Sequence, residues 1–413
     1  MGNNAKADWD RTRASLNRRS PAEKQRSFDL ELAPPLSGDP ADVRMLPPLA
    51  LSEPESIVDD PALVDFQSTL TNSQEERQNT SNLLQFWERI PRYSCGQING
   101  VASSTDSKTV GIVKYQFQGD GGERYTLTMT PAQVEVEEKG VVQAMFCYPG
   151  SNEELIELAL IKVALENGDI LPPYESGAEG PEKAGRAVGR RLPSYGVHFT
   201  INQLMQQLKE WGRGRSYPSV MHSLDVLNKC HLAVKSNSDT GINARGAILT
   251  ELISYQQNGF SRRDRNGFWT ARFHPIISLG IHAGLYQQYN VTRFASIKTP
   301  AAHSIAKLAA LHGRNMSESM PYSLTFSHFQ KTTGLLQYKN ASHARRRFKT
   351  EIESLKEMGL LNSIEFYDIK RGKRVVDIEA RMFASPALVK EMKASHKRAN
   401  ILLMRRQMRE QLV

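Results

Sequence analysis

Asn340-Ala341-Ser342-His343-Ala344-Arg345-Arg346-Arg347-Phe348-Lys349-Thr350-Glu351-Ile352-Glu353-Ser354-Leu355-Lys356-Glu357-Met358-Gly359 is the stretch from which the rest of the chain can be read. Ala344, Phe348, Ile352 and Leu355 recur at helical spacing and form one apolar stripe. Asn340 or Ser342 caps the helix and Gly359 ends it. With the stripe turned inward, His343, Arg345, Arg346 and Lys349 fall mostly on the opposite face, with Arg347 at its edge. Bases crowd the first two turns, and the acids Glu351, Glu353 and Glu357 come later. A helix stabilised by its own dipole carries the reverse order, so an external polyanion is the expected balance. In helix-turn-helix readers the N-terminal part of the second helix enters the major groove. Arginine there pairs with guanine O6 and N7 or clamps phosphate. A solvated basic face is the plainer alternative.

Downstream, Ile364 and Phe366 read as a strand, Lys370-Arg371-Gly372-Lys373-Arg374 as a basic hairpin tip, and Val376, Ile378 and Ala380 as the return strand. Such a tip is where a wing reaches backbone or minor groove. Upstream, Thr299 caps a helix that opens with Pro300 and has Ile305, Leu308 and Ala309 on its core face. A short strand and helix follow over Leu324 to Thr333, stopped by Gly334.

The same order occurs earlier in the chain. His198-Phe199-Thr200 is a strand ending in a cap, and Ile201, Leu204, Met205, Leu208 and Trp211 share a helical face. Gly212 to Ser216 is a turn, and a second helix near Pro218 carries Val220, Leu224 and Leu227. Strands near Leu232–Lys235 and Ile248–Ser254 are expected to form a hairpin, before a turn at Arg262 to Gly267 and a segment Phe268 to Phe273. The duplication, at about 150–290 and 297–382, implies an α+β fold of two tandem winged helix-turn-helix domains behind a disordered N-terminal arm. Arg213 and Arg215, with Arg262, Arg263 and Arg265, would give the first unit a DNA surface of its own. That unit is nearly neutral, so dimerisation is an equal reading.

The expected organisation is an arm over 1–90, a first domain over 91–293, a second and basic domain over 294–385, and a basic helix or tail over 386–413. Residues 1–80 hold 8 of the 20 prolines and are too polar to offset their ordering entropy by burial. At the arm's far edge Leu83, Leu84, Phe86 and Trp87 stand out in the segment 82–87, either as a peptide that docks a partner or as one that packs onto the next domain. Val113, Tyr115 and Phe117, then Tyr125, Leu127 and Met129, alternate around Gly119-Asp120-Gly121-Gly122 as a hairpin. Val142 to Cys147 is a strand, Ser151 to Glu154 a capping box, Leu155 to Glu166 a buried helix, and 168–194 a loop insertion.

The chain has 413 residues, enough for two or three domains, and a net charge of +9. Residues 1–80 carry 9 bases and 14 acids, whereas 291–413 carry 23 and 10, so the positive excess sits in the last third. A basic domain on a neutral body points to nucleic acid. Cys95, Cys147 and Cys230 are far apart and fit a reducing cytosol better than a disulfide scaffold or zinc site. No apolar run is long enough for a transmembrane helix, and the N-terminus lacks a signal peptide's apolar core. Phosphate-loop, HExxH and GxSxG patterns are absent. The expectation is a cytoplasmic, non-enzymatic DNA binder without metal or cofactor.

Thr299-Pro300-Ala301-Ala302-His303, Ala344 to Lys349, and Leu355-Lys356-Glu357-Met358-Gly359-Leu360-Leu361 together resemble plasmid replication initiators of the theta-replicating Rep type, closest to the broad-host-range initiators with two winged helices. The resemblance covers about 80–385 as an order of elements. Asn82 to Trp87, followed by Ile90-Pro91-Arg92-Tyr93, stands where similar initiators carry a sliding-clamp peptide, with Asn82 and Gln85 departing from that peptide's Gln and Leu. The resemblance implies binding to direct repeats (iterons) at an origin, melting of an adjacent AT-rich segment, and recruitment of host initiator, replicative helicase and sliding clamp. It also implies a monomer–dimer switch that limits plasmid copy number, and a place on the bacterial nucleoid or plasmid. A winged-helix transcriptional regulator, a rolling-circle nickase and an RNA-binding scaffold are the rival readings.

Overall fold

The computed structural model describes residues 61–67, 73–93, 111–119, 123–138, 141–167, 170–171, 194–238, 242–255, 267–313 and 315–412. These residues form a mixed fold of helices and antiparallel sheets. The arm before residue 61, Cys95, residues 120–122, 172–193 of the expected loop insertion, and Arg262, Arg263 and Arg265 lie outside them.

α1 (Pro61–Gln67) and α2 (Gln74–Asn79) lead to β1 (Thr80–Leu84) and a 3-10 turn at Trp87–Arg89. β1 is buried throughout and pairs antiparallel with Tyr286–Asn290, from Thr80 opposite Asn290 to Leu84 opposite Tyr286. The expected boundary at residue 90 is thereby corrected, because 80–92 belongs to the body. Leu83, Leu84 and Trp87 are core residues, and Phe86 packs on Tyr125 with ring centroids 5.0 Å apart. Of the two readings of 82–87, its burial supports packing onto the body and corrects the partner-docking peptide. Its apolar side chains are consumed by a partner strand far along the chain.

β2 (Val113–Gln118) and β3 (Arg124–Thr130) form the expected hairpin, with Val113 opposite Met129 and Phe117 opposite Tyr125. β4 (Ala132–Glu138) pairs with β5 (Val141–Cys147). α3 (Ser151–Asn167) is apolar on most sides and buried. Its start differs from the expected capping box: Ser151 lies inside the helix, and the Glu153 carboxylate accepts the Gly150 N–H at 2.7 Å.

Next come β6 (Ile170–Leu171), β7 (Gly196–Thr200), α4 (Ile201–Glu210) and α5 (Tyr217–Lys229), then β8 (His231–Ser236), β9 (Asn243–Ala247), β10 (Leu249–Tyr255) and β11 (Phe268–Phe273). Thr200 closes a capping box with Gln203 at the start of α4. The expected hairpin between 232–235 and 248–254 does not form. β8 pairs with β3 and β9, and β10 pairs with β11, giving sheets β2-β3-β8-β9 and β10-β11-β7-β6. β9, Asn-Ala-Arg-Gly-Ala, lacks the apolar alternation that marks a strand, so only tertiary pairing reveals it.

The chain continues through α6 (Pro275–Ala283), β12 (Tyr286–Asn290), α7 (Val291–Ser296), α8 (Pro300–His312), β13 (Tyr322–Thr325), α9 (Phe326–Thr333), α10 (Ala341–Glu357), β14 (Leu361–Arg371), β15 (Arg374–Ala384) and α11 (Pro386–Leu412). Sheet β13-β15-β14 repeats the order β7-β11-β10, with the last strand in the middle each time. In both copies the first strand ends in a threonine that caps the following helix: Thr200 accepts from Gln203 N and Thr325 from His328 N. α11 returns to the body, where Ser395 Oγ donates to the Gln288 carbonyl at 2.6 Å and Arg398 meets Glu76 at 2.5 Å.

Buried charges join the two copies at α3 and α8. Lys307 of α8 donates to Glu88 and, at 2.6 Å, to Glu154 of α3, and His303 Nδ1 lies 3.2 Å from Glu154. Glu157 accepts from Trp87 Nε1 at 2.6 Å, from Arg92 Nη2 at 2.7 Å and from the Tyr93 hydroxyl. Burial alone would push the Glu154 carboxyl up, but Lys307 and His303 hold it well below the usual carboxylate range. Glu88 is likewise lowered, against its own burial, by Lys307 and Arg92. Burial and Arg92 push the imidazole of His274, which stacks on Trp87, down to about 3.

Candidate nucleic-acid interface

Asn340 proves to be the N-cap of α10, its Oδ1 accepting from Ser342 N at 2.9 Å and His343 N at 3.2 Å. Ala344, Phe348, Ile352 and Leu355 are buried as the stripe requires. Phe348 sits 5.5 Å from the ring of Phe326 and 5.4 Å from that of Phe329, which locks α10 onto α9. Gly359, at φ 72°, takes the left-handed turn after the helix, and Leu360 N donates back to Leu355 O at 3.0 Å.

This packing exposes His343, Arg346 and Arg347 and leaves Arg345 and Lys349 half-buried. Arg347 is not free: its Nε donates to Glu351 at 2.7 Å, and buried Glu351 also accepts the hydroxyl of Thr299, the cap of α8. Lys349 leans toward β14, with Nζ 3.5 Å from Asp368 and 5.2 Å above the Phe366 ring. Of the five, Arg346 therefore presents the most direct outward donor fork, with no carboxylate on it among the described residues. His343 lies edge-on to Tyr338 at 4.9 Å.

β14 and β15 are eleven residues each and meet in a two-residue turn, Gly372-Lys373, with Arg371 opposite Arg374. Gly372 has φ 63°, the left-handed conformation such a turn demands. Lys370, Arg371, Lys373 and Arg374 are all exposed at this tip. Eleven residues extend about 36 Å, so the tip stands well away from the hairpin's base. The helix face and the basic tip thus lie on adjoining elements, since α10 packs beside β14.

Arg213 and Arg215 are placed elsewhere. Both are half-buried in the turn between α4 and α5. Arg215 donates to Asn152 Oδ1 at 2.8 Å and to the carbonyls of Arg213 and Gly214 at 3.3 Å. Arg213 lines a small cleft with Thr299, Pro300 and His303, and burial and Arg215 lower its pKa. The guanidinium of Arg215 is thus held by Asn152 and turn carbonyls, and Arg213 lies at the seam to α8. Among the described residues, no three His, Cys, Asp or Glu side chains group as metal ligands would, and no helix is long and apolar enough to cross a membrane.

No family model matches the chain, and no curated protein matches its sequence. Among solved structures, selenomethionine-derivative domains 2 and 3 of RctB align at TM-score 0.38 and 12% identity, covering 71% of this chain and 98% of that one. A second structure of RctB domains 2-3 aligns at TM-score 0.34 and 12% identity, covering 72% and 99%. The Pi initiator protein in complex with iteron DNA aligns at TM-score 0.31 and 11% identity, covering 57% of this chain and 94% of that one.

Proposed function

We propose that the chain is a sequence-specific duplex-DNA-binding replication initiator and not an enzyme. Its two repeated units are winged helices: α3, β7, α4, α5, β10 and β11 in the first, and α8, β13, α9, α10, β14 and β15 in the second. The observation that carries this reading is the second unit's pairing of a cation-led helix, fronted by Arg346, with an adjoining hairpin tipped by Lys370, Arg371, Lys373 and Arg374. α10 enters the major groove, and the tip reaches backbone or minor groove. Binding to direct repeats, melting of neighbouring AT-rich DNA and recruitment of host replication proteins follow from the resemblance to Rep-type initiators.

Footprinting of the purified protein on the non-coding DNA beside its gene tests this. Phased protection over direct repeats next to an AT-rich tract is the expected pattern. One short palindromic footprint over a promoter replaces the initiator with a transcriptional regulator. Within the protected site, Arg346→Ala costs about 1–3 kcal/mol and relaxes base preference at one position. Unchanged affinity removes α10 from the interface.

A further inference from the structure

Sheet β2-β3-β8-β9 has one face in the core and one in water. Phe117, Leu127, Met129 and Val234 point inward and are buried. The register sets the opposite face in rows. Lys114, Thr128, Ala233 and Arg245 form one row, Gln116, Thr126, Lys235 and Asn243 the next, and Gln118 with Arg124 the third. Rows two residues apart are separated by about 7 Å, and Lys114 and Arg245, on the two edge strands, by about 14 Å.

The four strands contain no Asp or Glu. Neighbouring Glu123 turns its carboxylate to the hydroxyl of Tyr125, whose ring is on the inner face. Lys114, Arg124, Lys235 and Arg245 are exposed, and among the described residues their side chains make no ion pair or hydrogen bond. An ordinary solvated sheet mixes signs, because opposite charges across strands stabilise and like charges repel. A carboxylate-free array of cations calls for an external polyanion.

The neutral side chains narrow the choice of polyanion. No Phe, Tyr or Trp of these strands lies on this face, and its one imidazole, His231 opposite Thr130, stands at the end of the sheet, so it lacks a row of platforms on which single-stranded bases stack. Between the cations stand hydroxyls and amides, Thr126, Thr128, Gln116 and Asn243, which bond phosphate and sugar. The Tyr115 hydroxyl donates to the carbonyls of Gln330 and Lys331 at 2.8 and 2.7 Å, so the same sheet is fastened to the last turn of α9.

We propose that this face is a second, sequence-independent contact to the phosphate backbone of duplex DNA. The proposal rests on the DNA-binding reading of α10 and adds a surface to it. The test uses the full chain carrying Lys114→Gln, Arg124→Gln, Lys235→Gln and Arg245→Gln together. Affinity for a random-sequence duplex is measured as salt is raised. The slope of log affinity against log salt is expected to fall by about 3–4, close to one for each phosphate that is no longer neutralised. Base preference at the footprinted site stays as in the wild type. Lys390→Gln, Lys393→Gln, Lys397→Gln and Arg405→Gln make the same charge change on α11, which packs against β12 and β15, and should lower the slope far less.

An unchanged slope in the sheet variant overturns the proposal, as does an equal drop in both variants. Tighter binding of a single-stranded or RNA oligonucleotide than of the duplex, abolished in the sheet variant, overturns it too. If the fourfold variant does not fold, the edge-strand pair Lys114→Gln and Arg245→Gln gives the same reading at half the change. A wild type that binds no duplex sinks the initiator reading itself. A wild type weakened by Arg346→Ala, with the sheet variant unaffected, sinks only the second surface.

Discussion

Replacing Lys307 by methionine lowers the stability of the chain by about 3–5 kcal/mol, the range for removing one partner of a buried ion pair. Methionine nearly matches the lysine stem in length, so the loss comes from charge and not from a cavity. Lys307 bridges Glu88 and Glu154, and without it two buried carboxylates face each other, with Arg92 left beside Glu88 and His303 beside Glu154. In the wild type both carboxylates are lowered in the fold. Their contribution is therefore present above the ordinary value of 4.5 and is lost as pH falls through the lowered folded values. In Lys307→Met the folded values rise instead, so the penalty is full near neutral pH and vanishes as the carboxylates protonate. Denaturant unfolding across pH should show the wild type and variant widest apart near pH 7, the gap narrowing toward pH 4.5 as the variant's carboxylates protonate and closing only below it, as pH passes through the wild type's lowered folded values. A gap independent of pH would mean that packing, not charge, joins α3 to α8.

Phe348→Ala is the second large effect, about 3–5 kcal/mol for a fully buried phenylalanine. Its ring fills the space between Phe326 and Phe329, so the cavity opens where α10 lies on α9. Phe348→Leu, which keeps most of the volume, costs under about 1.5 kcal/mol. Chemical denaturation measures both. The functional consequence is separable: α10 is no longer held in the position that aims Arg346, so duplex affinity falls in Phe348→Ala under conditions where the variant is still folded. Full affinity in a folded Phe348→Ala protein would show that the position of α10 does not set binding.

Capping, helical periodicity and turn chemistry act over a few residues, and what depends on them was legible from the chain alone. Asn340, Thr200 and Thr299 cap helices at the positions read from sequence, and Thr325 is a cap that the structure adds. The stripe Ala344, Phe348, Ile352 and Leu355, the glycine stops and the Lys370–Arg374 tip belong to the same class. Tertiary structure alone decided which strands pair. Leu83 and Leu84 became a core strand, and the strands around 232 and 248 went to different sheets, because their partners lie far along the chain. It also decided which charges are free. Arg215, Arg347 and Lys349 read alike in a sequence, but Asn152, Glu351 and Asp368 reach them in the fold. The carboxylate-free face of β2-β3-β8-β9 exists only once four separate segments are set in register. Local propensity has a range of a turn or two, whereas strand register and charge pairing are settled by the chain's long-range contacts.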